Sequence, residues 1–245
     1  MRGREVVCAR LAAVFLDGEY EQAAYYRRWA EAADLLVAAD GGARFLAAAG
    51  LVPDLLVGDF DSLDEAAVDH ALQRGARVVR HPVRKDKTDG ELAVEEAVRA
   101  GAREVVLAGA LGALDHTLGH LAILERLEAG GTPARLVSPA MVVRVLVAPA
   151  AVRLGAPPGT RVSLAPLCGD AVVTLTGLEY PLDRGRLPAD ACLGLGNIVS
   201  PSHAGQAGGG GASVTAHEGR VAVLVWDGAE SFDAPRRAAK ERRDA

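Results

Sequence analysis

Two carboxylates stand one residue apart in Gly58-Asp59-Phe60-Asp61-Ser62. In an extended segment side chains alternate, so Asp59 and Asp61 face one way while Phe60 turns towards the core. Two such charges repel unless a cation neutralises them. A hard divalent ion such as Mg²⁺ suits the pair, since it takes oxygen ligands from one or two carboxylates together with phosphate oxygens. From Asp54 to Glu65 there are five acids and no base, so the segment supplies no cation of its own. Further along, Lys85-Asp86-Lys87-Thr88-Asp89 sets lysines beside a third acid. Lys85 and Lys87 suit phosphate oxygens and Asp89 suits the metal, a division of labour that phosphoryl transfer needs. Gly109-Ala110-Leu111-Gly112, followed by Asp115-His116, reads as a turn able to cradle a phosphate. A plain alternative stands beside each reading. Asp61 or Ser62 caps the helix that starts near Asp64, Thr88 caps the next helix, the glycines serve close helix–sheet packing, and Asp115 is an N-cap. His116 and His120 lack a third ligand and read as structural or solvent-facing.

These residues share a site only if the chain folds to bring them together. Apolar runs at Ala12–Leu16, Leu35–Ala39, Leu55–Val57, Arg77–Arg80, Glu104–Ala108 and Arg135–Ser138 read as strands. Between them Tyr20–Ala33, Ala43–Ala49, Asp64–Arg74, Thr88–Ala100 and Asp115–Ala129 carry apolar residues at helical spacing. Strand–helix alternation implies a doubly wound α/β fold with a mostly parallel sheet. In such sheets ligands bind at the carboxyl ends of the strands. Five consecutive strand ends carry acids, bases or glycines: Asp17-Gly18-Glu19, Asp40-Gly41-Gly42, Gly58 to Ser62, Arg84 to Asp89, and Gly109 to Gly112.

After Pro149 the texture changes. The breaker cluster Gly155-Ala156-Pro157-Pro158-Gly159 precedes β-branched runs at Thr160–Leu164, Val172–Leu175 and Val221–Trp226. The expected organisation is an α/β nucleotide-binding catalytic domain over 1–148, a smaller all-β, sandwich-like domain over 149–228, and a charged, flexible tail over 229–245. Gly205 to Gly211 reads as a mobile loop.

The formal net charge of −5 carries no concentrated basic field, which argues against nucleic acid as a partner. No apolar run approaches the roughly 18 residues that span a bilayer, so no membrane association is expected. Cys8, Cys168 and Cys192 lie far apart without a metal or disulfide pattern, and a reducing cytoplasm suits them. Neither a Walker loop, a G-x-G-x-x-G turn nor a G-x-S-x-G elbow is present.

In order and spacing, Ala39-Asp40-Gly41-Gly42-Ala43, Pro53-Asp54 leading to Gly58-Asp59-Phe60-Asp61-Ser62, Lys85-Asp86-Lys87-Thr88-Asp89 and Leu114-Asp115-His116-Thr117 resemble the thiamine pyrophosphokinase (thiamine diphosphokinase) family. Gly177 to Leu182 and Gly194-Leu195-Gly196-Asn197 extend the resemblance over most of residues 12 to 228. It implies a homodimer that transfers diphosphate from ATP to the hydroxyl of thiamine and releases AMP. It implies that Asp59, Asp61 and Asp89 hold Mg²⁺ with Asp40 in support, and that Lys85 and Lys87 serve catalysis. Gly41, Gly42, Thr88, Gly109 and Asp115 would then meet nucleotide or phosphate, and Asn197 would lie near thiamine. Three positions depart from the family's usual residues: Ala113 stands for an Arg, Gly196 for a Ser and Gly90 for a Leu. Two other readings are a same-fold diphosphokinase acting on another alcohol, such as a pterin, and a nucleotide-binding protein without turnover. A phosphatase of the haloacid-dehalogenase type also uses Asp-x-Asp, but its pair follows the first strand of the domain, and here two strands precede it.

Overall fold

The computed structural model describes residues 10–61, 63–201 and 211–226. Its first half alternates strand and helix: β1 (Leu11–Phe15), α1 (Ala23–Ala32), β2 (Leu35–Ala39), α2 (Gly42–Ala48), β3 (Leu55–Gly58), α3 (Glu65–Gln73), β4 (Arg77–Arg80), α4 (Asp89–Arg99), β5 (Glu104–Ala108), α5 (Leu114–Ala129) and β6 (Ala134–Val137). Eight strands follow: β7 (Met141–Val147), β8 (Ala150–Arg153), β9 (Arg161–Pro166), β10 (Ala171–Thr176), β11 (Leu182–Leu187), β12 (Asn197–Ile198), β13 (Ser213–Glu218) and β14 (Arg220–Trp226).

The strands form a ten-stranded sheet, β12-β9-β14-β7-β6-β5-β1-β2-β3-β4, and a four-stranded sheet, β11-β10-β13-β8. From β6 to β4 every pairing is parallel. From β6 through β7, β14 and β9 to β12 every pairing is antiparallel. The fold is thus a mostly parallel, doubly wound α/β sheet followed by antiparallel strands. Main-chain bonds between β6 and β7 carry the large sheet from one region into the other without a break.

Central strands covered on both faces become continuous apolar runs. In β1 and β2 all ten residues are buried. One face packs Tyr26 and Trp29 of α1, Leu46 of α2 and Val68 of α3, and continues into the core shared with the second sheet through Val152, Val173 and Val214. The opposite face packs Ala93, Val94 and Ala97 of α4 and Ile123, Leu124 and Leu127 of α5. A buried leucine such as Leu46 contributes about 1.5–3 kcal/mol.

Two expectations shift. The first helix starts at Ala23 rather than Tyr20, because Gln22 turns left-handed (φ 56°) and the Tyr20 ring stacks 4.2 Å from that of Phe45. Strands β7, β8, β11, β12 and β13 lie where no strand was expected. Cys8, Ser62, the glycines through Gly210 and the tail from 229 lie outside the described residues.

Helix α2 meets the sheet at Gly42, where a Cβ would stand 2.1 Å from the carbonyl oxygen of Phe15. Since backbone must move to admit it, Gly42→Ala is expected to destabilise the protein by about 1–3 kcal/mol. Gly119, inside α5, has nothing within 4 Å of its Cβ position. Gly119→Ala should therefore stabilise by roughly 0.8–1 kcal/mol through helix propensity. Urea denaturation of the two variants checks both signs.

Candidate active site

At the carboxyl edge of the parallel strands lies a cleft of about 780 Å³. Loops after β1, β2, β3 and β5, and the segment leading into α4, bring Asp17, Asp40, Asp59, Lys85, Asp89 and Gly109 to its walls. One carboxylate oxygen each from Asp40, Asp59 and Asp61 lies within 4.8 Å of the others. Asp89 joins this group through Lys85, whose Nζ stands 2.6 Å from Asp59 Oδ2 and 3.0 Å from Asp89 Oδ1.

The route by which the acids converge differs from simple alternation along a strand. Strand β3 ends at Gly58, and Phe60 then adopts a left-handed conformation (φ 63°) while its ring stays buried. The resulting tight turn brings the Asp61 N–H to 3.3 Å from Asp59 Oδ1. Arg80 covers the Phe60 ring, with its guanidinium carbon 4.9 Å from the centroid. Asp40 is also left-handed (φ 42°). Non-glycine residues in this region store about 1–3 kcal/mol each, a cost met by the packing around them. Gly58 permits the approach, since a Cβ there would press to 3.2 Å from that of Asp40.

The electrostatics follow from this spacing. The hydrogen bond from Lys85 holds the Asp59 carboxyl below its ordinary range. The charge of Asp59, foremost, pushes the Asp61 carboxyl above its ordinary value, with Asp40 and Asp89 adding to the effect. Three hard oxygen donors with one of them destabilised as an anion fit a divalent cation of the Mg²⁺ type.

The remaining expected residues divide. Thr88 lines the cleft and also caps α4, accepting from the Glu91 N–H at 3.2 Å. Lys87 reaches the wall but is engaged by Glu95 Oε1 at 2.7 Å. Gly109 sits under Tyr20, where a Cβ would lie 2.6 Å from the phenol oxygen. That hydroxyl donates to the Leu16 carbonyl at 2.5 Å and lies 3.3 Å from that of Ala108, tying β1 to β5 at their ends. Gly41 and Gly42 stand behind the cleft: Gly41 leaves room for the Asp17–Arg44 ion pair at 2.8 Å, and Gly42 serves helix–sheet packing. Asp115 lines an adjoining hollow with Thr88 and His116, and its Oδ1 accepts from the His116 N–H at 2.8 Å.

Asn197, expected near thiamine, is not among the residues that line the cleft. It is buried, with Oδ1 accepting from the Tyr180 N–H at 3.1 Å and Nδ2 donating to the Tyr180 carbonyl at 2.8 Å, so its amide clamps that loop. Gly196 has open space at its Cβ position but a φ of 75°, so a serine there would find room and a strained backbone. His116 and His120, read as structural or solvent-facing, both line the cleft together with Asp17 and Glu19. Their position one and two turns after a strand end was the available signal.

Residues 26–136 match the family model described as thiamin pyrophosphokinase, catalytic domain. Comparison with the curated proteins found no match. Among solved structures, the thiamine pyrophosphokinase of Bacillus subtilis superposes with a TM-score of 0.75 at 20% identity, covering 89% of this chain and all of that one. That of Geobacillus thermodenitrificans gives 0.72 at 26% identity, covering 90% and 99%. That of Candida albicans gives 0.70 at 13% identity, covering 90% of both chains.

Lys85 is the cation that separates Asp59 from Asp89. In Lys85→Met the Asp59 carboxyl is expected to titrate at higher pH, because the bond that stabilises its anion is gone while Asp61 still repels it. A carboxyl-carbon NMR titration reads the direction of that shift.

Proposed function

We propose that this chain, whose residues 26–136 match the thiamin pyrophosphokinase catalytic-domain model, transfers the terminal diphosphate of ATP to the hydroxyl of thiamine and releases AMP. The observation that carries the reading is the convergence of Asp40, Asp59 and Asp61 beside Lys85 at the carboxyl edge of the sheet. Asp59 and Asp61, with Asp89 and Asp40 in support, would hold Mg²⁺. Bound there, Mg²⁺ supplies charge neutralisation to the phosphate oxygens. Lys85 keeps Asp59 and Asp89 in register and presents its ammonium to the same oxygens. Thr88 retains a hydroxyl hydrogen for a phosphate, and the main chain at Gly109 to Gly112 lets phosphate approach closely. Alignment and charge neutralisation suffice for in-line displacement, with no covalent intermediate on the protein.

The acceptor side is proposed to be completed in a homodimer. Asn197 fixes Tyr180, which is 68% exposed, and Leu193 and Leu195 are exposed nearby in sequence. Such an apolar surface at the end of a β unit suits a second copy of the chain. Among the described residues no helix is long and apolar enough to cross a membrane. A cytoplasmic location accords with the free thiols of Cys168 and Cys192.

Asp61→Asn removes charge without volume. It should lower kcat by about 100-fold or more and raise the Mg²⁺ concentration needed for half-maximal rate. Chromatography of the products from ATP, Mg²⁺ and thiamine checks both rate and chemistry. AMP with thiamine diphosphate supports the proposal. ADP would refute diphosphate transfer, and AMP formed only with another alcohol would refute the acceptor.

A further inference from the structure

The diphosphate-transfer reading leaves one proton without a destination, the one on the acceptor's hydroxyl. The cleft's carboxylates have other engagements: Asp59 and Asp89 bind Lys85, Asp40 and Asp61 complete the acidic cluster, and Asp17 pairs with Arg44. His120 differs from all of these. Its Nδ1 stands 2.7 Å from the carbonyl oxygen of Ala110. A carbonyl only accepts, so Nδ1 carries the hydrogen, and in the neutral ring Nε2 is left with a lone pair. Nε2 has no hydrogen-bond partner among the described residues. Opposite it on α4 is Gly90, whose lack of a side chain leaves space beside Nε2, since a Cβ there would come to 3.9 Å from it, and both residues line the cleft.

We infer that His120 is the proton acceptor for the alcohol that attacks ATP, an inference that rests on the diphosphate-transfer reading. As the alcohol oxygen bonds to the β-phosphorus, its hydrogen passes to Nε2. The bond from that phosphorus to the α,β-bridging oxygen breaks, and its electron pair leaves with AMP. The imidazolium returns its proton to water when products leave.

Burial, the larger influence, holds the His120 imidazole below its ordinary value against the bond to Ala110, which raises it; the neighbouring His116 lowers it further. The ring is thus a neutral base at pH 7. Other charged groups share its surroundings: Asp115 and Arg126 on α5, Glu91 and Asp89 on α4, and Glu19 and Lys87 across the cleft.

The variant His120→Gln places an amide near Nε2 that cannot take up a proton. It should lower kcat roughly 100-fold or more, with both KM values changed less than about 3-fold, and abolish the acidic limb of the kcat–pH profile. An unchanged acidic limb, with kcat within about 3-fold, overturns the inference. A second measurement is independent of turnover: ¹⁵N spectra of histidine-labelled protein, with the His120 signals assigned from the variant. The expected result is the Nδ1–H tautomer with a midpoint below the ordinary value of about 6.5, and an Nε2–H tautomer or a midpoint above about 7.5 overturns the inference. Failure of the underlying reading shows differently, as absence of AMP from the unaltered protein with every alcohol offered, while the spectra still decide the state of His120.

Discussion

Like charges held at close range are the constraint around which the site is arranged. Asp40, Asp59 and Asp61 bring carboxylate oxygens within 4.8 Å of one another, and no folded chain does this without a compensating force. The backbone adds to the cost, since Asp40 and Phe60 occupy left-handed conformations that ordinary side chains avoid, and packing around them offsets it. Part of the compensation is Lys85, which stands between Asp59 and Asp89 with most of its side chain out of solvent. The remainder is what the proposed divalent cation would supply. A site pre-strained in this way neutralises charge at the moment of binding and spends little on rearrangement.

The sheet makes that strain tolerable. Buried apolar strands anchor each acidic loop at its base, and the Phe60 ring between the two acids is itself part of the core. Tyr20 ties the ends of β1 and β5 where the segment Gly109 to Gly112 begins. On the other face α5, which carries His116 and His120, is joined to the antiparallel strands by Glu128–Arg144 at 2.9 Å and Glu125–Arg220 at 2.8 Å. The helix lining the cleft is therefore fixed from both halves of the large sheet.

Legibility tracked burial. Leu35–Ala39 and Glu104–Ala108 read correctly as strands because cover on both faces leaves unbroken apolar runs. Strand β11, with the sequence LDRGRL, and β13, with SVTAHE, did not stand out, because they expose polar residues and their pairing depends on distant partners. Thr88 was legible both as cap and as cleft residue, and the structure has it in both places. The bonds from Asn197 to Tyr180 were not, since the motif is local while they reach across 17 residues.

From residue types and spacing alone came the alternating α/β order, the chemistry of an acidic pair near lysines, and the strand ends at which to look. Those properties are local: a helix or buried strand declares itself in its own periodicity, and a carboxylate is a hard ligand wherever it sits. Which acids meet was decided only in three dimensions, where Asp40 rather than Asp89 completes the tight cluster. So was the setting of His120, whose ring is oriented by a carbonyl ten residues away. A contact between loops depends on the twist and stacking order of the whole sheet, and no short stretch of sequence contains that information.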